Sequence, residues 1–251
     1  MIFFQKLYHY IIGIDITKIF LTIFSKFNKK PASIYIKNKY YMIFIILISF
    51  INLTKNSEIK MIIQGEGEIN ILNNSFNFIP SEVIINGESK SELKNSYEFV
   101  NGLNNVTIKF NKKITSCEYM FDGMTNIIEI DLSNFDASNV INMNRMFNYC
   151  INLKKITFGD INTSLVENMN ELFFNCTNLT IIDRLDFDTT SVKSIIRMFA
   201  LCESLLSINA EFNPQNVENF FDCFAYCFNL ETINLPNFGK TKGNKYSRNV
   251  L

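Results

Sequence analysis

Residues 140–158, VINMNRMFNYCINLKKITF, decide how the chain folds, because the same line recurs on both sides of them. ITSCEYMFDGMTNI begins at 114, VENMNELFFNCTNL at 166, VKSIIRMFALCESL at 192 and VENFFDCFAYCFNL at 217. Successive starts are 26, 26, 26 and 25 residues apart. Phe recurs at 121, 147, 173, 199 and 224, and Ile at 130, 156, 182, 208 and 233. Cys recurs at 150, 176, 202 and 227, with Met124 in its place in the first copy. A unit this short cannot bury its own apolar face, but stacked neighbours can.

Each copy changes period in its middle. Val140, Met143, Met146, Phe147 and Cys150 carry the spacing of one face of a short helix. Leu153, Ile156 and Phe158 suit a short strand with alternate residues inward. Turns rich in Asn, Asp, Ser and Gly follow, such as SNFDASN at 133–139. The reading is therefore an α/β fold: a short leucine-rich-repeat-like solenoid of five repeats over residues 114–239. It predicts parallel strands near 127–132, 153–158, 179–185, 205–210 and 230–235. Helical turns are expected near 117–123, 143–149, 169–175, 195–201 and 220–226. At ~4.8 Å per strand the stack is roughly 20–25 Å long.

Outward from the repeats lie three further segments. Residues 57–113 hold short β-branched and aromatic runs (IKMIIQG, EINIL, EVIING, YEFV, VTIKF) punctuated by Asn73-Asn74, Asn86-Gly87 and Asn101-Gly102. They read as a small all-β module covering the open edge of the first repeat. Residues 1–56 are a hydrophobic basic leader with eight Lys and one acid, and its apolar core YYMIFIILISFINL occupies 40–53. That run is shorter than the roughly 18–20 residues of a spanning helix and fits a signal peptide core. An uncleaved signal anchor through 40–53, a start further downstream (Met42 or a spliced exon), and a buried element of a soluble domain are the competing readings. Residues 240–251 form a basic tail with four Lys and Arg.

Charge and composition narrow the function. The chain has 24 Lys+Arg and 24 Asp+Glu, while residues 114–239 carry six bases and sixteen acids. No basic face for phosphates results, so nucleic acid is not an expected partner. The single histidine, His9, lies in the leader. No nucleophile, phosphate-loop or zinc-protease motif occurs, so the expectation is a non-enzymatic protein with no cofactor and no metal. Six N-x-S/T sequons, at Asn52, Asn73, Asn105, Asn162, Asn175 and Asn178, are about what 35 Asn and 32 Ser+Thr produce by chance.

The cysteine column shares its positions with hydrophobes, which favours buried free thiols. Bridges such as Cys150–Cys176 and Cys202–Cys227 are the alternative, and Cys223-x-x-x-Cys227 is a weak metal signal. Asp131, Thr157, Asp183, Asn209 and Asn234 follow the repeated Ile and alternate outward. They form a candidate partner-contact stripe, or alternatively a solvated polar ladder.

The M-F-x-x-C-x-x-L-x-x-I-x-L line, with IDLSNFDASNV at 130–140, resembles the BspA-type leucine-rich-repeat surface protein family. More closely, it is similar to the 26-residue repeat of Mycoplasma and protist surface proteins. The resemblance covers residues 114–239. The turns NAEFNPQN and NLPNFGKT of the last two copies depart from it. It implies a secreted or membrane-anchored surface protein that recognises or adheres to a protein ligand. The rival reading is an intracellular or vesicular structural scaffold.

Overall fold

The computed structural model describes residues 57–183, 185, 187–209 and 216–234. The leader, residues 1–56, and the tail, 240–251, lie outside the described residues. Six strands precede the repeats: β1 (Ser57–Gln64), β2 (Gly67–Asn70), β3 (Glu82–Ile85), β4 (Glu88–Ser89), β5 (Ser96–Phe99) and β6 (Leu103–Phe110). Each repeat then supplies one strand: β7 (Ile127–Asn134), β8 (Lys155–Thr157), β9 (Ile181–Asp183), β10 (Ser207–Asn209) and β11 (Thr232–Asn234).

The main sheet runs β4-β3-β6-β1-β7-β8-β9, with β10-β11 and β2-β5 as separate pairs. β1 alternates Ile59, Met61 and Ile63 inward. It pairs antiparallel with β6 on one side and β7 on the other, so it joins the first module to the first repeat. From β7 onward the sheet is parallel, with Ile130, Ile156 and Ile182 side by side. Ile208 and Ile233 pair in the same way. Asn73 completes the junction: its backbone N donates to Met120 O (3.0 Å) and its Nδ2 to Asp122 O (2.8 Å). Those two carbonyls belong to the first rung and have no earlier repeat to serve as donor.

The expected helical turns are absent. No α-helix occurs among the described residues, and the fold is all-β rather than α/β. The reason lies in two positions of every rung. Tyr119, Arg145, Glu171, Arg197 and Asp222 have φ of 52–58°, and Tyr149, Asn175, Leu201 and Tyr226 have φ of 56–64°. Gly123 fills the second position in the first rung, at φ 74°. A left-handed residue ends a right-handed helix and costs about 1–2 kcal/mol when it carries a side chain. Two breaks four residues apart leave no room for a helical turn between them.

What compensates is hydrogen bonding between rungs. Along 143–150, alternate amides close short turns, as in Met146 N to Met143 O and Cys150 N to Phe147 O (3.3 and 3.2 Å). The amides between them point to the next rung: Arg145 N to Asn170 O, Phe147 N to Leu172 O and Tyr149 N to Phe174 O, at 2.8–3.0 Å. Successive tight turns bring a side chain inward every three residues, so they share the apolar spacing of a helix. Single parallel bridges link Ser116, Asn142, Asn168, Ser194 and Asn219 from rung to rung.

The core is built from columns. Phe121, Phe147, Phe173, Phe199 and Phe224 stack with centroids 5.4–5.6 Å apart and planes within 14°. All five are buried. Phe158 stands edge-on to Phe147, Phe173 and Phe187, at 6.4, 6.1 and 4.8 Å, and closes the other side.

Candidate functional site

The stripe Asp131, Thr157, Asp183, Asn209, Asn234 divides between two sheets. Asp131, Thr157 and Asp183 share one register row of β7–β9, and Asn209 pairs Asn234 in β10–β11. Asp131 is half-buried, lies across from Lys60 of β1, and accepts a hydrogen bond from Ser133 N (2.9 Å). Its carboxylate thus shapes its own strand end. Thr157 is also half-buried and has partners of its own. The side chains of Asp183, Asn209 and Asn234 lie outside the described set.

The six cysteines are free thiols, and all are buried. Cys150, Cys176, Cys202 and Cys227 each donate Sγ–H to the carbonyl of the phenylalanine one rung earlier: Phe121, Phe147, Phe173 and Phe199, at 3.0–3.1 Å. Burial pushes the Cys227 thiol up to about 11 and raises the other five well above the ordinary range too. Nucleophilic thiols need the opposite shift. Among the described residues no group of three or more His, Cys, Asp or Glu side chains is arranged to hold a metal.

Two features escaped the sequence reading. The first is a ladder of alternating charge on the first left-handed position of the second to fifth rungs, met at the first rung by Asp122 from the neighbouring column. Arg145 Nε lies 3.5 Å from Asp122 and 3.4 Å from Glu171, and Arg197 lies 3.8 Å from Glu171 and 4.0 Å from Asp222. The Arg145 guanidinium also sits 5.3 Å over the Tyr119 ring. Tyr119, Arg145, Glu171, Arg197 and Asp222 share one column, so the alternation was visible at a fixed offset from Phe.

The second is a set of exposed apolar side chains on the outside of the rungs. Tyr149, Tyr226 and Phe228 are 44%, 53% and 72% exposed. Tyr149 packs its ring 5.5 Å from Phe174, and Tyr226 packs 6.0 Å from Phe228. These columns carry a different residue in almost every copy, which hid them from a search for repetition.

A cleft of about 350 Å³ lies where β2 meets the first rung, with Glu68, Asp122 and Asn126 on its wall. Its polar groups already serve the fold. Asp122 accepts from Asn148 Nδ2 (2.7 Å), Glu68 from Ser96 Oγ (2.7 Å), and Asn126 Nδ2 donates to Gln64 O (2.9 Å).

Residues 97–238, from β5 through the last rung, match the model of a family described as Mycoplasma protein of unknown function, DUF285. The chain belongs to the DUF285 family. The DUF285 match begins before the first repeat and takes in β6, the strand that pairs β1 and so anchors the first rung. No curated protein and no solved structure matches the chain.

Proposed function

We propose that this DUF285 protein is a non-enzymatic, BspA-like surface repeat protein, secreted or membrane-anchored, that recognises or adheres to a protein ligand. The observation that carries the reading is the contrast between the inside and outside of the rungs. The inward Phe column is the same in all five copies. The outward column Gly123, Tyr149, Asn175, Leu201, Tyr226 changes at nearly every step and includes well-exposed aromatics. A rigid stack with a variable exterior suits recognition, and exposed aromatic side chains are the residue types that dominate binding energy at interfaces. Buried thiols with raised pKa make the cysteines poor nucleophiles, which fits a non-catalytic role for them. No helix among the described residues is long and apolar enough to cross a membrane, and the leader 40–53 lies outside them. The anchor or export signal is assigned to that leader by its sequence alone.

The test is direct. Full-length protein with a C-terminal tag is expressed in cells, and intact cells are treated with protease. Loss of the exposed domain from intact cells, with inhibition of cell attachment by the soluble protein, is the expected result. Double substitution Tyr226→Ala and Phe228→Ala is expected to abolish that inhibition without unfolding the chain. Complete protection from external protease with no release into the medium overturns the reading.

A further inference from the structure

Five of the six sequons lie among the described residues, and the fold treats them differently. Asn73 spends its Nδ2 on Asp122 O as the cap of the first rung. Asn178 donates Nδ2 to Asn152 Oδ1 (3.3 Å), and its hydroxyl partner Thr180 donates to Lys154 O (3.3 Å). Asn175 is half-buried in a left-handed conformation, with Thr177 turned to Ile151 O (3.2 Å). Asn105 lies within β6 opposite Ile62 of β1, and its backbone is bonded to Asn86: its N donates to Asn86 Oδ1 and its O accepts from Asn86 N, both at 2.9 Å. Acceptor asparagines of this motif lie in surface loops, where the side-chain nitrogen must be reachable.

Asn162 differs in the use of its side chain, although its turn is also held, Thr163 Oγ1 donating to Asp188 O (3.2 Å). It is exposed on the turn between β8 and β9, flanked by buried Ile161 and Thr163 that aim it outward. Its Oδ1 accepts two hydrogen bonds from Ser164, from the backbone N (3.0 Å) and from Oγ (2.8 Å). The sequon hydroxyl is thus already on the carboxamide oxygen, and among the described sequons this arrangement occurs at Asn162 alone. The equivalent turns of neighbouring rungs use Asp136 and Asp188, whose Oδ1 accepts from Ser138 N and Thr190 N, both at 3.0 Å. The turn therefore needs only the side-chain oxygen. Asn162 adds an Nδ2 that the turn does not use, in the one rung where that nitrogen completes a sequon.

We infer that Asn162 is the acceptor of an N-linked glycan, a reading that rests on export of the chain as proposed above. In the step, Nδ2 bonds to the anomeric carbon of a lipid-pyrophosphate-linked sugar. The bond from that carbon to the pyrophosphate oxygen breaks, the lipid pyrophosphate leaves, and the amide loses one proton to a base of the transferase. Nothing is oxidised or reduced. Ser164 Oγ–H on Oδ1 draws density from the amide and makes that proton easier to remove.

The experiment expresses the full chain in a eukaryotic secretory host. Luminal protease protection reads the export proposal, and glycopeptide mass with peptide-N-glycosidase treatment reads Asn162. A glycan at Asn162, lost in Asn162→Asp, is the expected result. That variant keeps the oxygen used at Asp136 and Asp188, so it folds. A protected chain with a bare Asn162, whether or not other sequons are occupied, overturns the inference and leaves the export reading standing. An unprotected chain overturns the export reading. The same chain is then fused behind a cleavable signal peptide, where a bare Asn162 overturns the inference and an occupied one supports it.

Discussion

Cys176 Sγ–H points at Phe147 O, 3.0 Å away, and so ties each rung to the one before it through a thiol. The same bond in four rungs explains why cysteine holds this column. Sulfur is large enough to fill the space and polar enough to reach a carbonyl already shared with a turn amide.

This geometry predicts chemically silent thiols. Alkylation under native conditions is expected to label no cysteine, and unfolding without reductant to expose six labels. Mass spectrometry of the intact chain reads both. Fewer than three labels after unfolding would show that the thiols are bridged.

Stability should also fall in alkali. Burial raises the folded-state pKa of these thiols above the ordinary 9.0, so the unfolded chain gives up its protons first. The stabilisation is fully present below pH 9 and is lost progressively above it. The share of Cys227, pushed up to about 11, is lost as pH rises through that value. Thermal melts from pH 7 to 10 should show the decline, and replacing Cys176 with Ala should make it shallower.

The phenylalanine stack sets a larger energy. Phe173 is fully buried between Phe147 and Phe199, with Phe158 at its edge. Phe173→Ala is expected to lower unfolding free energy by about 3–5 kcal/mol, measured by denaturant titration. A loss under about 1 kcal/mol would mean that the column collapses to fill the gap.

Much of this was legible because a column that repeats five times reports its own burial. Phe147, Cys150 and Ile156 were placed inward from spacing alone; β8–β11 lie within the strand segments that spacing predicts, and β7 starts where predicted but runs two residues further, to Asn134. The helical turns were misread because apolar residues at every third or fourth position satisfy tight turns as well as a helix. The left-handed residues gave little warning, since Arg145, Glu171 and Leu201 are not residue types that favour such φ. Gly123 and Asn175, in the column of Leu201, were the available clue. The candidate stripe was read from alternation, but alternation does not reveal that Asp131 lies across from β1 and shapes its own strand end.

The charge ladder predicts a sign-dependent response. Arg145→Glu places a third carboxylate between Asp122 and Glu171, and should destabilise more than Arg145→Met. The difference should be on the order of 1 kcal/mol, because these side chains are only partly shielded from solvent. Added salt should shrink it. The double variant Arg145→Glu, Glu171→Arg restores an opposite neighbour on one side only and should recover part of the loss. Equal stability of Arg145→Glu and Arg145→Met would mean that the ladder contributes through packing alone.

The left-handed positions give the sharpest contrast. Leu201 has φ 64° and is half-buried, in the column that holds Gly123 and Asn175. Its amide still donates to Ala225 O at 2.8 Å, so the rung pairing holds it in a conformation that leucine disfavours. Asparagine tolerates that region better, and a β-branched side chain tolerates it worse. Leu201→Asn should therefore raise stability by about 0.5–1 kcal/mol, and Leu201→Val should lower it by about 1–2 kcal/mol. Volume and hydrophobicity alone predict the reverse order, since valine is the closer match to leucine. Denaturant midpoints for the two variants decide between these accounts, and a more stable valine variant would place Leu201 in an ordinary right-handed turn.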